Sequence, residues 1–144
     1  MANSDTVKLL KECDAGSKMA VTSIDDVMDY VSDGELKRII DRSKAEHRKV
    51  ESEADNLLAR FGQYSKEPEM MAKAMSWIST EMKMMMRDDD KQAAKIMMDG
   101  CNMGIQSISG SINQYSGAIA SSVAIAKELV KIEEDFRDEL KKYV

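Results

Sequence analysis

The sequence predicts an all-α fold, an up-down four-helix bundle made of two related helical hairpins. Apolar residues recur at three- and four-residue spacing along four long segments, which is the period of an amphipathic helix. One proline and 5% aromatic residues accompany 13 methionines, a composition typical of helices packed by flexible side chains. Residues 13–26, CDAGSKMAVTSIDD, recur in outline at 101–114 as CNMGIQSISGSINQ, so each half of the chain is expected to supply one hairpin.

Length and charge narrow the class of protein. At 144 residues the chain is expected to form a single helical-bundle domain. Its 21 basic and 26 acidic side chains are interspersed, so there is no basic patch to attract nucleic acid. Two cysteines, no signal-peptide pattern and no membrane-length apolar run predict a soluble cytoplasmic protein that does not act at a membrane.

The first hairpin is predicted over about 5–62. Its first helix should run to about Val31. Ser32–Glu35 then reads as a capping box, in which the Ser32 hydroxyl and the Glu35 carboxylate each accept a free backbone N–H at the start of the second helix. That helix should continue to Phe61, with Gly62 as its stop.

A short crossing helix is predicted at about 68–87, either separate or continuous with the next helix. Pro68 suits the first turn of a helix, where its missing N–H is not needed. Seven methionines follow within 17 residues, and they can pack internally, form a protein-binding surface or bind Cu(I) through their thioethers. The candidate interaction surface consists of Met70, Trp77, Met84, Met85 and Met86.

The second hairpin is predicted over about 90–143. Acidic residues 88–90 can cap its first helix and interact favourably with the positive end of the helix dipole. The apolar spacing carries this helix to about Tyr115, and Ser116-Gly117 marks a turn. The last helix then runs to about Tyr143.

Three segments of the chain resemble a known group of proteins. LLKECDAGSKMA at 9–20, AMSWISTEM at 74–82 and IMMDGCNMGIQSI at 96–108 are similar to segments of uncharacterised small bacterial four-helix-bundle proteins placed near the ferritin-like superfamily. The resemblance spans nearly the whole chain and implies a ferritin-like bundle. The group has no assigned activity, so the resemblance implies none here.

An intact di-iron centre of the ferritin-like type is not expected. Such a centre needs a Glu on each of two helices and Glu-x-x-His on each of the other two. The chain has one histidine, His47, and Lys44 stands three positions before it. No catalytic residue is predicted, since one histidine without a neighbouring Ser or Cys motif does not make a triad.

A mononuclear metal site is the alternative for the middle of the bundle. With the first turn near 32–33, antiparallel pairing sets Asp14 near Glu51, and the second turn sets Cys101 near Glu133. Together with His47, these residues could bind a single transition-metal ion. The competing interpretation is that His47 and Glu133 form a buried, hydrogen-bonded polar layer that fixes helix register. The metal ligands of the first interpretation are His47, Asp14, Glu51 and Glu133.

Small residues accompany both cysteines. Cys13 and Cys101 stand near Gly16 and Gly104, and we expect these positions to allow close helix contact rather than thiol chemistry.

The leading functional hypothesis is a non-enzymatic bundle that acts through protein contact, as a homo-oligomer, without a cofactor. The alternative is a degenerate ferritin-like metal-binding protein with its site around His47.

Overall fold

The computed structural model describes residues 2–64 and 90–144, and every long element in these ranges is a helix. The first hairpin consists of α1 (Ala2–Met28) and α2 (Gly34–Arg60). The second consists of α3 (Asp90–Gln114) and α4 (Ala120–Leu140), after which Lys141–Tyr143 form a 3₁₀ turn. No strand occurs in the two described ranges, so the prediction of an all-α protein with four long helices is confirmed.

Contacts at the two ends of the bundle fix the direction of each helix. The Thr6 hydroxyl accepts a hydrogen bond from the Ile119 N–H at 2.9 Å, which places the start of α1 beside the start of α4. At the opposite end, Asp90 Oδ1 accepts a hydrogen bond from the Ser32 N–H at 2.8 Å. Helices α1 and α4 therefore run one way and α2 and α3 run the other. It follows that α2 ends and α3 begins at opposite ends of the bundle.

The turn in the first hairpin differs from the predicted capping box. Helix α1 ends at Met28, before the predicted Val31, and α2 is capped by Asp33, whose carboxylate accepts the Leu36 N–H at 2.9 Å. Ser32 instead binds Asp90 of the other hairpin. The cap lies one residue later than predicted because Asp33 is also a good N-cap residue and Ser32 is used to join the hairpins.

Two apolar clusters fill the interior, one toward each end. The first includes Ile24, Val27, Leu36, Ile40, Ala94, Met97, Phe136 and Leu140. The second includes Leu9, Leu10, Cys13, Val50, Leu58, Ile108, Ala126 and Leu129. The residues between them form a polar layer of buried side chains, namely Asp14, Ser17, Ser43, His47 and Glu133.

Helical periodicity does not distinguish fully buried from half-buried apolar residues on α2 and α4. Leu58 is fully buried on α2, while its neighbour Leu57 is half-buried against the same cluster. On α4, Leu129 and Ile132 are buried, and Val123 and Val130 are half-buried against the same cluster. Adjacent apolar residues on these helices leave two possible faces, and packing against the neighbouring helices selects between them.

The internal repeat is reflected in some matched positions. Gly16 and Gly104 line the same cavity, but Asp14 is buried while its counterpart Asn102 is exposed. The repeat therefore stays a prediction.

The crossing helix predicted at about 68–87 lies outside the described residues. None of the described helices has the length and apolar character needed to cross a bilayer.

Candidate functional site

His47 lies in the middle of α2, and its side chain is completely buried. Its Nδ1 is 2.7 Å from the backbone carbonyl oxygen of Ser43, and the Ser43 hydroxyl lies 3.3 Å from the same nitrogen. Because a carbonyl oxygen can only accept, Nδ1 carries a hydrogen and donates it. The ring is thereby oriented so that Nε2 points across the bundle to Oε1 of Glu133 on α4.

The surroundings of His47 favour its charged form. Burial lowers the pKa of the imidazole, but the hydrogen bond and the charge of Glu133, together with the Ser43 carbonyl, outweigh it and leave the pKa raised above its ordinary value. Glu133 is 6% exposed. The His47–Glu133 pair is therefore a buried imidazolium–carboxylate contact in the polar layer.

A cavity of about 160 Å³ lies between α1 and α3, directly against this pair. Helices α1 and α3 form its walls, while His47 of α2 and Glu133 of α4 contribute its innermost polar surface. Most of the lining is apolar or small. Among the described residues, the lining includes Gly16, Met19, Ala20, Ser23, Met97, Gly100, Cys101, Met103, Gly104, Ser107 and Phe136.

The two glycines on the α3 side have different functions. A Cβ added at Gly104 would lie 2.9 Å from Oε2 of Glu133, so the missing side chain makes room for the carboxylate. A Cβ added at Gly100 would meet no atom within 4 Å, so this glycine leaves part of the cavity unfilled. On α1, a Cβ added at Gly16 would lie 3.6 Å from Ile108 of α3, so this small residue allows the close helix contact that the sequence predicts.

The cysteines are protonated thiols. Burial and then the charge of the Glu133 carboxylate raise the pKa of Cys101 well above its ordinary value. Burial, assisted by Glu12 and Asp14, raises the pKa of Cys13 to about 12. Both cysteines are buried and unbridged, so they behave as small apolar side chains rather than nucleophiles.

A second group of titratable side chains lies where α1 meets α2. Carboxylate oxygens of Asp14, Glu51 and Asp55 all lie within 4.8 Å of one another, and we call this group the acidic cluster. Lys18 Nζ donates to Asp14 Oδ2 at 2.7 Å. Burial and then a hydrogen bond with Asp55 raise the pKa of Asp14 to about 6, although Lys18 opposes that shift.

The residues of the predicted metal site are divided between the His47–Glu133 pair and the acidic cluster. The structure brings Asp14 close to Glu51, and it brings His47 into contact with Glu133, but the described residues show no group that combines all four. Asp55 was missed, although its position one helical turn after Glu51 could have indicated it. The predicted surface at Met70, Trp77, Met84, Met85 and Met86 lies outside the described residues.

Comparisons with known proteins add no further constraint. No family model, no curated protein and no solved structure matches this chain. The function must therefore be inferred from the chemistry of the cavity and of the acidic cluster.

Proposed function

We propose that the protein binds a small, mostly apolar molecule with one hydrogen-bonding group in the cavity between α1 and α3. The observation that supports this proposal is a cavity of about 160 Å³ with the His47–Glu133 pair at its innermost surface. An engineered cavity of about 150 Å³ in another protein holds benzene, so a single six-membered ring sets the size of the ligand.

The fold gains nothing from leaving this space unfilled. Protein interiors are close-packed, so side chains that filled this space would add apolar contacts. Gly100 also weakens α3, because glycine in a helix is about 1 kcal/mol less favourable than alanine. A larger side chain at Gly100 would start in open space, so the sequence could have filled the cavity. Ligand binding is a reason to keep it.

The polar end of the cavity specifies the ligand's chemistry. Oε1 of Glu133 is engaged by the imidazolium, while Oε2 faces Gly104 at the cavity. Besides the hydrogen bond from the Cys101 thiol, the carboxylate has lone pairs left to accept a further donor. A neutral hydroxyl donor on the ligand can bind this oxygen without adding a charge to an already paired site. A hydrogen bond to a charged acceptor contributes about 1.5–3 kcal/mol, which would favour phenol over toluene.

Phenol and toluene therefore serve as probes, with binding followed by chemical shifts of backbone amides. For seven heavy atoms we expect a phenol Kd of about 0.1–1 mM, with weaker binding of toluene. Gly100→Leu should fill the cavity and abolish binding. The matched control is Gly110→Leu on the same helix, which is exposed, has no atom within 4 Å of its Cβ position, and should leave binding unchanged.

The proposal fails if phenol does not shift the amides that line the cavity. It also fails if Gly100→Leu binds phenol as well as the unaltered protein does.

The hypothesis that the bundle acts through protein contact is separate and stays a prediction, because its surface lies outside the described residues. The geometry does not support a metal site centred on His47, because both ring nitrogens already contact protein groups. Nδ1 contacts Ser43, and Nε2 contacts Glu133.

A further inference from the structure

We infer that the acidic cluster of Asp14, Glu51 and Asp55 is a site for a divalent cation that prefers oxygen ligands. The three residues offer carboxylate oxygens within 4.8 Å of one another. Oxygen ligands lie about 2.3–2.6 Å from Ca²⁺, so two oxygens on opposite sides of one ion are about 5 Å apart. The spacing therefore suits three ligands of a single ion.

Unpartnered oxygens inside the cluster provide independent support. Asp14 is 1% exposed, and its buried Oδ1 has no donor from any other residue while both carboxyls are ionised; its hydrogen bond with Asp55 requires a proton on one of them. Asp55 Oδ1 is likewise buried and without a donor. A buried carboxylate oxygen without a partner is costly, and facing carboxylates repel each other unless a proton or a cation lies between them. A bound cation would satisfy both oxygens at once.

The charge of the cluster agrees with a divalent ion. When all three carboxyls have lost their protons to a bound ion, the Lys18 ammonium leaves two negative charges for the ion to compensate. All three ligands are oxygens, and no imidazole or thiol belongs to the cluster, so Ca²⁺, Mg²⁺ and Mn²⁺ suit it better than Zn²⁺ or Cu²⁺. Three protein ligands leave further coordination positions for water.

Lys18 is the internal competitor for the same oxygens. Its Nζ lies 2.7 Å from Asp14 Oδ2, and its side chain is 25% exposed, so the ammonium can move toward solvent when an ion binds. An ion that enters the cluster must work against this positive charge. Removing the charge should therefore tighten binding, which is the reverse of what a merely structural ion pair would show.

Mn²⁺ titration of chelator-treated full-length protein, followed by electron paramagnetic resonance, tests the site. We expect one saturable Mn²⁺ per chain, about tenfold weaker binding in Asp55→Asn, and about tenfold tighter binding in Lys18→Met. Asp29→Asn is the matched control, because it removes the same charge at an exposed position in the turn and should leave affinity unchanged. Excess Ca²⁺ should displace the Mn²⁺.

Three results would overturn the inference. They are no saturable Mn²⁺ binding, equal affinity in Asp55→Asn and Asp29→Asn, or weaker binding after Lys18→Met. Circular dichroism establishes that each variant is folded. If Asp55→Asn does not fold, Glu51→Gln replaces it, because Glu51 is only half-buried and its loss should weaken Mn²⁺ binding by a similar factor.

Discussion

The imidazole of His47 contacts the carboxylate of Glu133 at mid-height in the bundle, and this contact joins α2 of one hairpin to α4 of the other. The two apolar clusters lie on either side of it. Partners that must face each other from two helices permit only one register, because a shift of either helix would leave a buried charge without a partner. The pair also forms the polar end of the cavity, so helix register and the proposed ligand site depend on the same two side chains.

The protonation of His47 can be observed directly, since the chain contains one histidine. NMR titration of its imidazole should give a pKa above the ordinary value of about 6.5. In Glu133→Gln the carboxylate is lost and burial dominates, so the pKa should fall below that value. A titration unchanged by Glu133→Gln would show that the carboxylate does not set the charge of His47.

Stability should depend on pH through the same contact. A histidine whose pKa is raised on folding contributes stability that is fully present below about pH 6.5 and is lost as the pH rises through the folded-state value. Urea unfolding of the unaltered protein and Glu133→Gln should therefore differ most at pH 5 to 6, by about 3–5 kcal/mol for a broken buried pair. The difference should shrink toward pH 9. A difference that grows with pH would contradict the assignment.

Sequence periodicity was sufficient to predict four long helices and two antiparallel hairpins. Their apolar positions repeat at the helical period, and this signal is strong over more than twenty residues. Counting outward from the turn also set Asp14 opposite Glu51, because antiparallel helices with a short connection pair at nearly equal distances from it. The predicted number of long helices and the antiparallel pairing within each hairpin therefore agree with the structure, whereas α1 ends earlier than predicted.

The cavity and the N-cap of α2 could not be predicted from sequence periodicity. Periodicity identifies which face of a helix is buried, but not whether the neighbouring helices fill the space beside Gly100. The small residues predict close helix contact at Gly104, but not that the glutamate of α4 is the side chain that occupies the space. Such outcomes depend on side-chain packing between elements far apart in the sequence, which a local pattern does not encode.

Self-association remains a prediction from the methionine-rich segment. If Met84 and Met85 form the contact between copies, sedimentation velocity at several concentrations should show a concentration-dependent oligomer. A charged side chain in an apolar interface is costly to desolvate, so Met84→Glu with Met85→Glu should shift the protein to a monomer. A monomer at every concentration, unaltered by the double substitution, would remove the proposal that the bundle acts as a homo-oligomer.

The turn in the first hairpin offers a test of the observed cap. Asp33 accepts the Leu36 N–H, so Asp33→Ala should reduce the free energy of unfolding by about 1 kcal/mol. Ser32→Ala loses an exposed side-chain contact with Asp90 at 3.2 Å but keeps the backbone bond to it, so its effect should be smaller. Urea unfolding distinguishes the two. The opposite ranking would favour the capping box predicted from the sequence.

Gly104 is the position where one added methyl group should disturb the site most. Its Cβ would lie 2.9 Å from Oε2 of Glu133 and 3.2 Å from Cδ, so the carboxylate must shift and its contact with His47 is disturbed. We expect Gly104→Ala to destabilise the protein by about 1–3 kcal/mol, as overpacking commonly does. Because the shifted carboxylate supports the imidazolium less well, the pKa of His47 should also fall toward its ordinary value.

Gly110→Ala provides the matched control for Gly104→Ala. It lies on the same helix with open space around its Cβ position, so the substitution should stabilise the protein by about 0.5–1 kcal/mol through helix propensity alone. Thermal unfolding of both variants, combined with the His47 titration, separates propensity from the local contact. If Gly104→Ala were as stable as Gly110→Ala and left the His47 titration unchanged, Glu133 would have room to move without loss. The glycine would then not be needed to hold the pair together.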